Sequence, residues 1–247
     1  MKTALTLLGN SGIQYLVLEE TVRDRVRKTL PNLSGRIEAL DHPFAPNEGA
    51  SQTVDLREPI RFGFLGLAIQ IKGFPLFVKI ANEVMEKYGR RAEFHAIGQL
   101  PGYAFTVNGT EGLATKPVSN LMPRADFIRG VSLLHFVVLP HEAMPYTLTA
   151  SGVLLDAIAW EKPVIARKIP LFEAMFEKYG DIGYLFSDDT NLRDIVEQIL
   201  QAADISRYRR QVLNLRSLRK SRDPEALAVA YLEICGTNKH ISRRTPA

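Results

Sequence analysis

Two short segments hold residue types that could grip an anion. Lys72 lies in the run GLAIQIKGFP, residues 66–75, where Pro75 suits the first helical position because its missing N–H costs nothing there. A cation at a helix N-terminus opposes the macrodipole by about 0.3–1 kcal/mol, so its placement is better explained with an anion bound beside it. The plainer alternative is an exposed lysine that tolerates the small cost. The second segment, residues 134–166, reads LHFVVLPHEAMPYTLTASGVLLDAIAWEKPVIA. An apolar run ends at Pro140 and a polar turn leads to Ser151-Gly152. A helical pattern holding Asp156 then runs to Lys162-Pro163. Thr149, Ser151 and Gly152 offer hydroxyls and unhindered amides to a phosphate, or form an ordinary N-cap, or do both. Asp156 sits among Leu154, Leu155, Ala157 and Ile158, where a carboxylate either faces solvent or accepts hydrogen bonds from a partner such as a ribose diol.

His141, Glu142 and Tyr146 follow the strand end and could contact a sugar, on the strength of loop position alone. Other chemistries find no pattern. His42, His95 and His240 are isolated, no His or acid spacing fits a metal, and no nucleophile-elbow motif occurs. The G-x-G-x-x-G of dinucleotide redox enzymes is absent after the first long strand. A single cysteine, Cys235, excludes an intrachain disulfide and cysteine-rich zinc motifs.

These residues need a scaffold that brings strand ends together. Residues 15–18, a charged helix over 19–30 and a strand over 36–40 form a small α/β piece, and residues 43–59 turn rich in Pro, Asn, Gly and Ser, as a linker does. Strands at 60–65, 93–97, 136–139, 164–166 and 183–186 then alternate with helices at 75–88, 123–130, 171–179 and 191–203 and with the helix that holds Asp156 and is ended by Lys162-Pro163. That alternation predicts an α/β fold, a Rossmann-like parallel sheet of about five strands flanked by helices, with an incomplete N-terminal α/β piece. Gly66 closes the first long strand, and residues 99–120 read as a long Gly-rich and polar loop. The expected units are 1–45, a linker at 46–58, a nucleotide-binding domain at 59–204, and helices with a basic tail at 205–247.

The chain has 247 residues, 46% of them hydrophobic, which is ample for a packed core. No apolar run approaches the about 20 residues a membrane span needs, and the N-terminus has too much polar interruption for a signal peptide, so a cytoplasmic location is expected. The net charge of +4 is concentrated in Arg207, Arg209, Arg210, Arg216, Arg219, Lys220 and Arg222 and in the tail. This cluster suits a solvated helix face or the anionic inner surface of a membrane. Without an RNA-binding aromatic motif or a zinc finger, nucleic acid is disfavoured.

Taken in order, these motifs resemble the carboxyl-terminal, donor-binding half of a GT-B glycosyltransferase of glycosyltransferase family 4 (glycosyl transferases group 1). RFGFLGLAIQIKGF resembles that family's strand with its basic diphosphate-gripping segment, FVVLPH its strand before the donor loop, and SGVLLDAIAWEKPVIA its helix-to-strand block. The resemblance implies retaining, metal-independent transfer from a nucleotide-diphosphate sugar, which is a substrate, so that no cofactor is expected. By position, Gly66, Lys72, Thr149, Ser151 and Gly152 would bind the donor diphosphate and Asp156 the ribose. Leu67 stands where the family has arginine, Leu148 and Asp156 where it has two glutamates, and Glu161 where glycine is common. Residues 15–43 resemble the end of the partner N-terminal domain. The rest of that domain would be missing or carried by a separate chain. A noncatalytic nucleotide-sugar-binding or scaffold module, or half of a bipartite transferase, is the competing expectation.

Overall fold

The computed structural model describes residues 13–43, 55–102, 109–142 and 148–241, with side chains to residue 236 at the C-terminal end. A small N-terminal lobe comes first. Strand β1 (Tyr15–Leu18), helix α1 (Glu20–Thr29) and strand β2 (Ile37–Leu40) form it, the two strands pairing in parallel. Leu30, Leu33 and Ile37 are its buried centre, with Tyr15, Val17 and Val26 packed around them. So small a core cannot stabilise a two-stranded sheet by itself.

The larger unit is a sheet of six strands. They are β3 (Ile60–Leu67), β4 (Ala92–Gln99), β5 (Leu113–Thr115), β6 (Phe136–Leu139), β7 (Val164–Arg167) and β8 (Gly183–Phe186), in the order β5-β4-β3-β6-β7-β8 and parallel throughout. About five strands were expected. The extra one, β5, lies inside the Gly-rich stretch, and three residues are too few to show a hydrophobic period. Its placement comes from tertiary contacts: Asn82 accepts from the Gly112 amide at 2.9 Å and donates to the Gly109 carbonyl at 2.6 Å.

Helices cover both faces. They are α2 (Phe74–Tyr88), α3 (Arg124–Leu133), α4 (Gly152–Ala159), α5 (Pro170–Tyr179), α6 (Asp189–Gln201), α7 (Ile205–Ser221) and α8 (Pro224–Ile241). Helix α2 begins one residue earlier than expected, placing Pro75 second rather than first. One core packs α2 and α6 on Phe62, Phe64, Phe94 and Phe136, with the Phe62 and Phe94 rings stacked at 5.2 Å. Burying each such phenyl contributes about 1.5–3 kcal/mol. The opposite core packs α4 and α5 on Leu65, Val137 and Leu139. Helix α7 serves both, through Tyr208 and Val212 on one side and Leu215 and Leu218 on the other.

Between the lobe and the sheet lies a buried ion pair. Arg222, fully buried, donates to both carboxylate oxygens of Glu19 at 2.6 and 2.9 Å and lies 3.7 Å from Asp41. This corrects the picture of the late basic cluster as a solvated face. Arg207 pairs with Asp181 at 2.9 Å, and Arg216 and Arg219 converge on buried Glu161 at 2.8 and 3.4 Å, so much of that charge holds the fold together.

Candidate functional site

The strand order fixes where a ligand can enter. From β3 the chain builds outward through β4 to β5, then returns to β6 on the other side of β3 and continues to β7 and β8. The loops leaving β3 and β6 therefore diverge, opening a crevice at the carboxyl ends of those two strands. A cavity of about 670 Å³ occupies that place. One wall is formed by Gly66, Leu67, Ile71 and Lys72, and the other by Thr149, Ser151, Gly152, Val153 and Asp156.

Backbone geometry puts Lys72 there. After β3 the chain makes a short 3-10 turn (Gln70–Lys72), and Gly73 then starts α2 at φ 74°. Glycine is required at that point twice over. A side chain would be strained at this φ, and its Cβ would lie 1.9 Å from the Pro140 carbonyl oxygen. The same turn is tied to the β6 exit by the Glu142 amide, which donates to the Ile71 carbonyl at 3.0 Å. Lys72 then folds back over Gly66, where a Cβ would meet its Nζ at 3.2 Å. Burial lowers the Lys72 pKa, and the nearby Asp156 carboxylate pulls it the other way.

Ser151 caps α4, its Oγ accepting from the Leu154 amide at 3.3 Å. The cap and the anion-binding geometry coexist, because a helix leaves its first amides without partners inside the helix. Gly152, exposed and with open space beside it, lets a ligand approach those amides closely. One turn on, Asp156 is half-buried. Burial raises its pKa, opposed by Arg124, whose guanidinium stands 4.0 Å away, and by Lys72. Among the described residues the site thus holds a carboxylate near two cations, with no contact between them closer than 4.0 Å.

His141 and Glu142 fall outside the cavity lining. His141 is 1% exposed, so it lies beneath the pocket and is not placed to touch a sugar. Glu142 is exposed and accepts a hydrogen bond from the Gln70 amide group at 3.3 Å. Tyr146 lies outside the described residues. Sequence reasoning missed the apolar half of the cavity, made by Gly98, Gln99, Leu121, Met122 and Phe127. The adjacent apolar pair Leu121-Met122 ahead of Pro123 was its one visible signal, since Leu121 is 84% exposed in an otherwise polar stretch. The cavity thus has an apolar side beside the polar residues around Lys72 and Ser151.

Glu161 explains one departure from the resembled pattern. It adopts φ 53°, a conformation natural to glycine, and its carboxylate receives Arg216 and Arg219. A non-glycine residue there costs about 1–2 kcal/mol, offset by those charge-assisted bonds.

A six-stranded parallel sheet with this strand order and helices on both faces is the fold of one half of a GT-B glycosyltransferase. No protein-family model and no curated protein sequence matches the chain. Solved structures do. Anabaena HepE in complex with UDP and glucose matches with TM-score 0.71 at 13% identity over 96% of this chain and 66% of its own. WaaG, a glycosyltransferase involved in lipopolysaccharide biosynthesis, matches with TM-score 0.65 at 14% identity, over 89% of this chain and 61% of its own. TarM matches with TM-score 0.63 at 16% identity, over 94% and 46%. The chain spans less than two thirds of the length of these structures, and at such identities the likeness concerns the fold.

Proposed function

We propose that this chain is the donor-binding portion of a retaining, metal-independent glycosyltransferase resembling family 4, and that it takes a nucleotide-diphosphate sugar. The observation that carries this reading is the convergence of Lys72, the α4 N-terminus and Asp156 on one cavity at the β3/β6 switch point. Lys72 and the amides of Gly152 and Val153 would hold the diphosphate, Thr149 and Ser151 would flank it, and Asp156 would take the ribose hydroxyls. The recess of Gln99, Leu121, Met122 and Phe127 would receive the base. Stabilising the departing diphosphate by fixed dipoles and one cation is an electrostatic form of catalysis, and neither step requires a metal. The HepE structure with UDP and glucose supports the choice of ligand class.

Transfer would also need an acceptor site, supplied by the remainder of an N-terminal domain, whether on a longer chain or on a separate one. The lobe built from β1, α1 and β2 would be the last part of that domain. Leu67 supports a second reading, a nucleotide-sugar-binding or scaffold module without transferase activity. It lines the cavity where the resembled family has a second cation, leaving Lys72 as the diphosphate's lysine or arginine within the lining.

Calorimetry with UDP, GDP and ADP tests the site. Binding of at least one, weakened by Lys72→Ala far more for the diphosphate than for the nucleoside, is expected. A folded protein that binds none of the three refutes the donor-site reading. Affinity without sugar transfer, after a matching N-terminal domain is supplied, selects the binding-module reading. Localisation at the cytoplasmic face of a membrane is a further part of the proposal; among the described residues no helix is long and apolar enough to cross one.

A further inference from the structure

Beneath the cavity, one buried side chain touches both of its walls. His141 leaves β6 just after Pro140, and its imidazole packs on the Phe172 ring with centroids 5.6 Å apart. Nε2 lies 3.4 Å from Ser151 Oγ, the atom that caps α4, and the Lys72 backbone lies beside the ring, close enough to act on its titration. The two loops it joins come from different strands, and among the described residues other ties link the Lys72 turn to the β6 exit, the Gln70 side chain on Glu142 included. The Glu142 amide on Ile71 is one, and the contact of Gly73 with Pro140 is another.

We infer that His141 is a positioning residue of the anion pocket, an internal strut that sets the spacing between the Lys72 turn and the N-terminus of α4. The inference rests on the donor-site reading above. The partners assign the ring's chemistry. Ser151 Oγ already accepts from the Leu154 amide, so its hydroxyl proton is free to go to Nε2, and the neutral imidazole spans from that hydroxyl to the Lys72 backbone. Neutrality is enforced by surroundings. Burial, with Lys72 beside it, pushes the His141 pKa down to about 3, so the strut adds no charge beside Lys72. A phenyl ring could fill the same space against Phe172 but could join neither wall.

The test compares UDP, GDP or ADP, whichever the native protein binds, with the corresponding nucleoside by calorimetry. The variants are His141→Phe and His141→Gln, with thermal unfolding followed in parallel. The ratio of diphosphate to nucleoside affinity is the readout, because a residue that only fills the core would weaken both ligands together. In His141→Phe that ratio is expected to fall about tenfold, the scale of one buried hydrogen bond lost from a ligand-facing arrangement. Nucleoside affinity stays within about twofold, and His141→Gln, which retains a polar end, recovers part of the loss. An unchanged ratio in a folded His141→Phe overturns the strut. If that variant does not fold, His141→Gln is read alone, and a native ratio together with native melting behaviour in Gln and in His141→Ala overturns it. A native protein that binds none of the three diphosphates overturns both this inference and the donor-site reading. Native binding with an unchanged ratio overturns this one alone.

Discussion

Two clusters of half-buried and buried charge, one at the lobe junction and one at the pocket, are built to different standards. At the lobe junction Arg222 holds Glu19 with two short bonds, and the Glu19 carboxylate also accepts from the His42 amide at 3.1 Å. Burial would lower the Arg222 pKa, but Glu19 and Asp41 outweigh it and the net shift is upward; Asp41 is in turn held low by Arg222 and Lys178 against the effect of burial. Glu19 even adopts φ 77°, which its surroundings must enforce against a cost of about 1–3 kcal/mol. At the pocket, Lys72, Asp156 and Arg124 reach no closer to one another than the 4.0 Å between Arg124 and Asp156, and burial shifts Lys72 and Asp156 toward their neutral forms. Charges that serve the fold satisfy one another. The charges at the pocket are left loosely paired, which is what the proposed donor site requires, because interactions completed within the protein cannot be offered to a ligand.

The comparison breaks most directly at Arg222. Arg222→Met strands Glu19 in the interior and should destabilise the protein by about 3–5 kcal/mol, read from urea unfolding, with nucleotide affinity in the surviving folded fraction unchanged. A loss near zero would remove the junction from the argument. Lys72→Met should do the reverse. Diphosphate affinity is expected to drop about 10- to 100-fold by calorimetry, the worth of a charge-assisted hydrogen bond, while the melting temperature stays level or rises because a desolvated cation has been removed.

Acid sharpens the contrast through two neutral imidazoles. His135 accepts from the Arg61 amide and bonds the Asp55 carbonyl, and burial, reinforced by Arg61 and Lys162, lowers its pKa from 6.5 to about 4. His141 is lowered to about 3. Between those values and 6.5 the unfolded chain binds protons that the folded chain refuses, so the stability they represent is complete above pH 6.5 and is lost as pH falls. Each imidazole should contribute up to about 1.4 kcal/mol per pH unit over that window, visible as a falling urea midpoint and abolished in part by His135→Gln. The smallest effect is at Glu161. Glu161→Gly relieves the positive φ while losing the two arginines, whereas Glu161→Ala keeps the strain and loses them too, so the alanine variant should be the less stable by about 1 kcal/mol.

The regular elements could be read from sequence because each carries a local period. The strand at 136–139 is a continuous apolar run, and α2 and α6 alternate apolar and polar faces. Lys72, Ser151 and Asp156 could be singled out because each is a polar residue beside a helix start or within an apolar stretch. The apolar side of the cavity could not, since Gln99 and Phe127 come from separate elements whose meeting depends on the sheet order. Nor could the fate of the basic cluster. Arg222 and Arg209 are alike in sequence, yet one is fully buried and the other exposed.

By itself the sequence determined an α/β chain with a parallel sheet, a lysine before one helix, and a capped helix with an aspartate one turn in. These follow from hydrophobic spacing, proline and glycine placement and capping chemistry, which act over a few residues. Only the tertiary structure decided that β3 and β6 are neighbours, which brings Lys72 opposite Ser151 and Asp156, puts His141 between them, and consumes Arg222, Arg216 and Arg219 inside the fold. Strand order and ion pairing are settled by which buried surfaces and charges meet across long stretches of chain, and no local pattern encodes that choice.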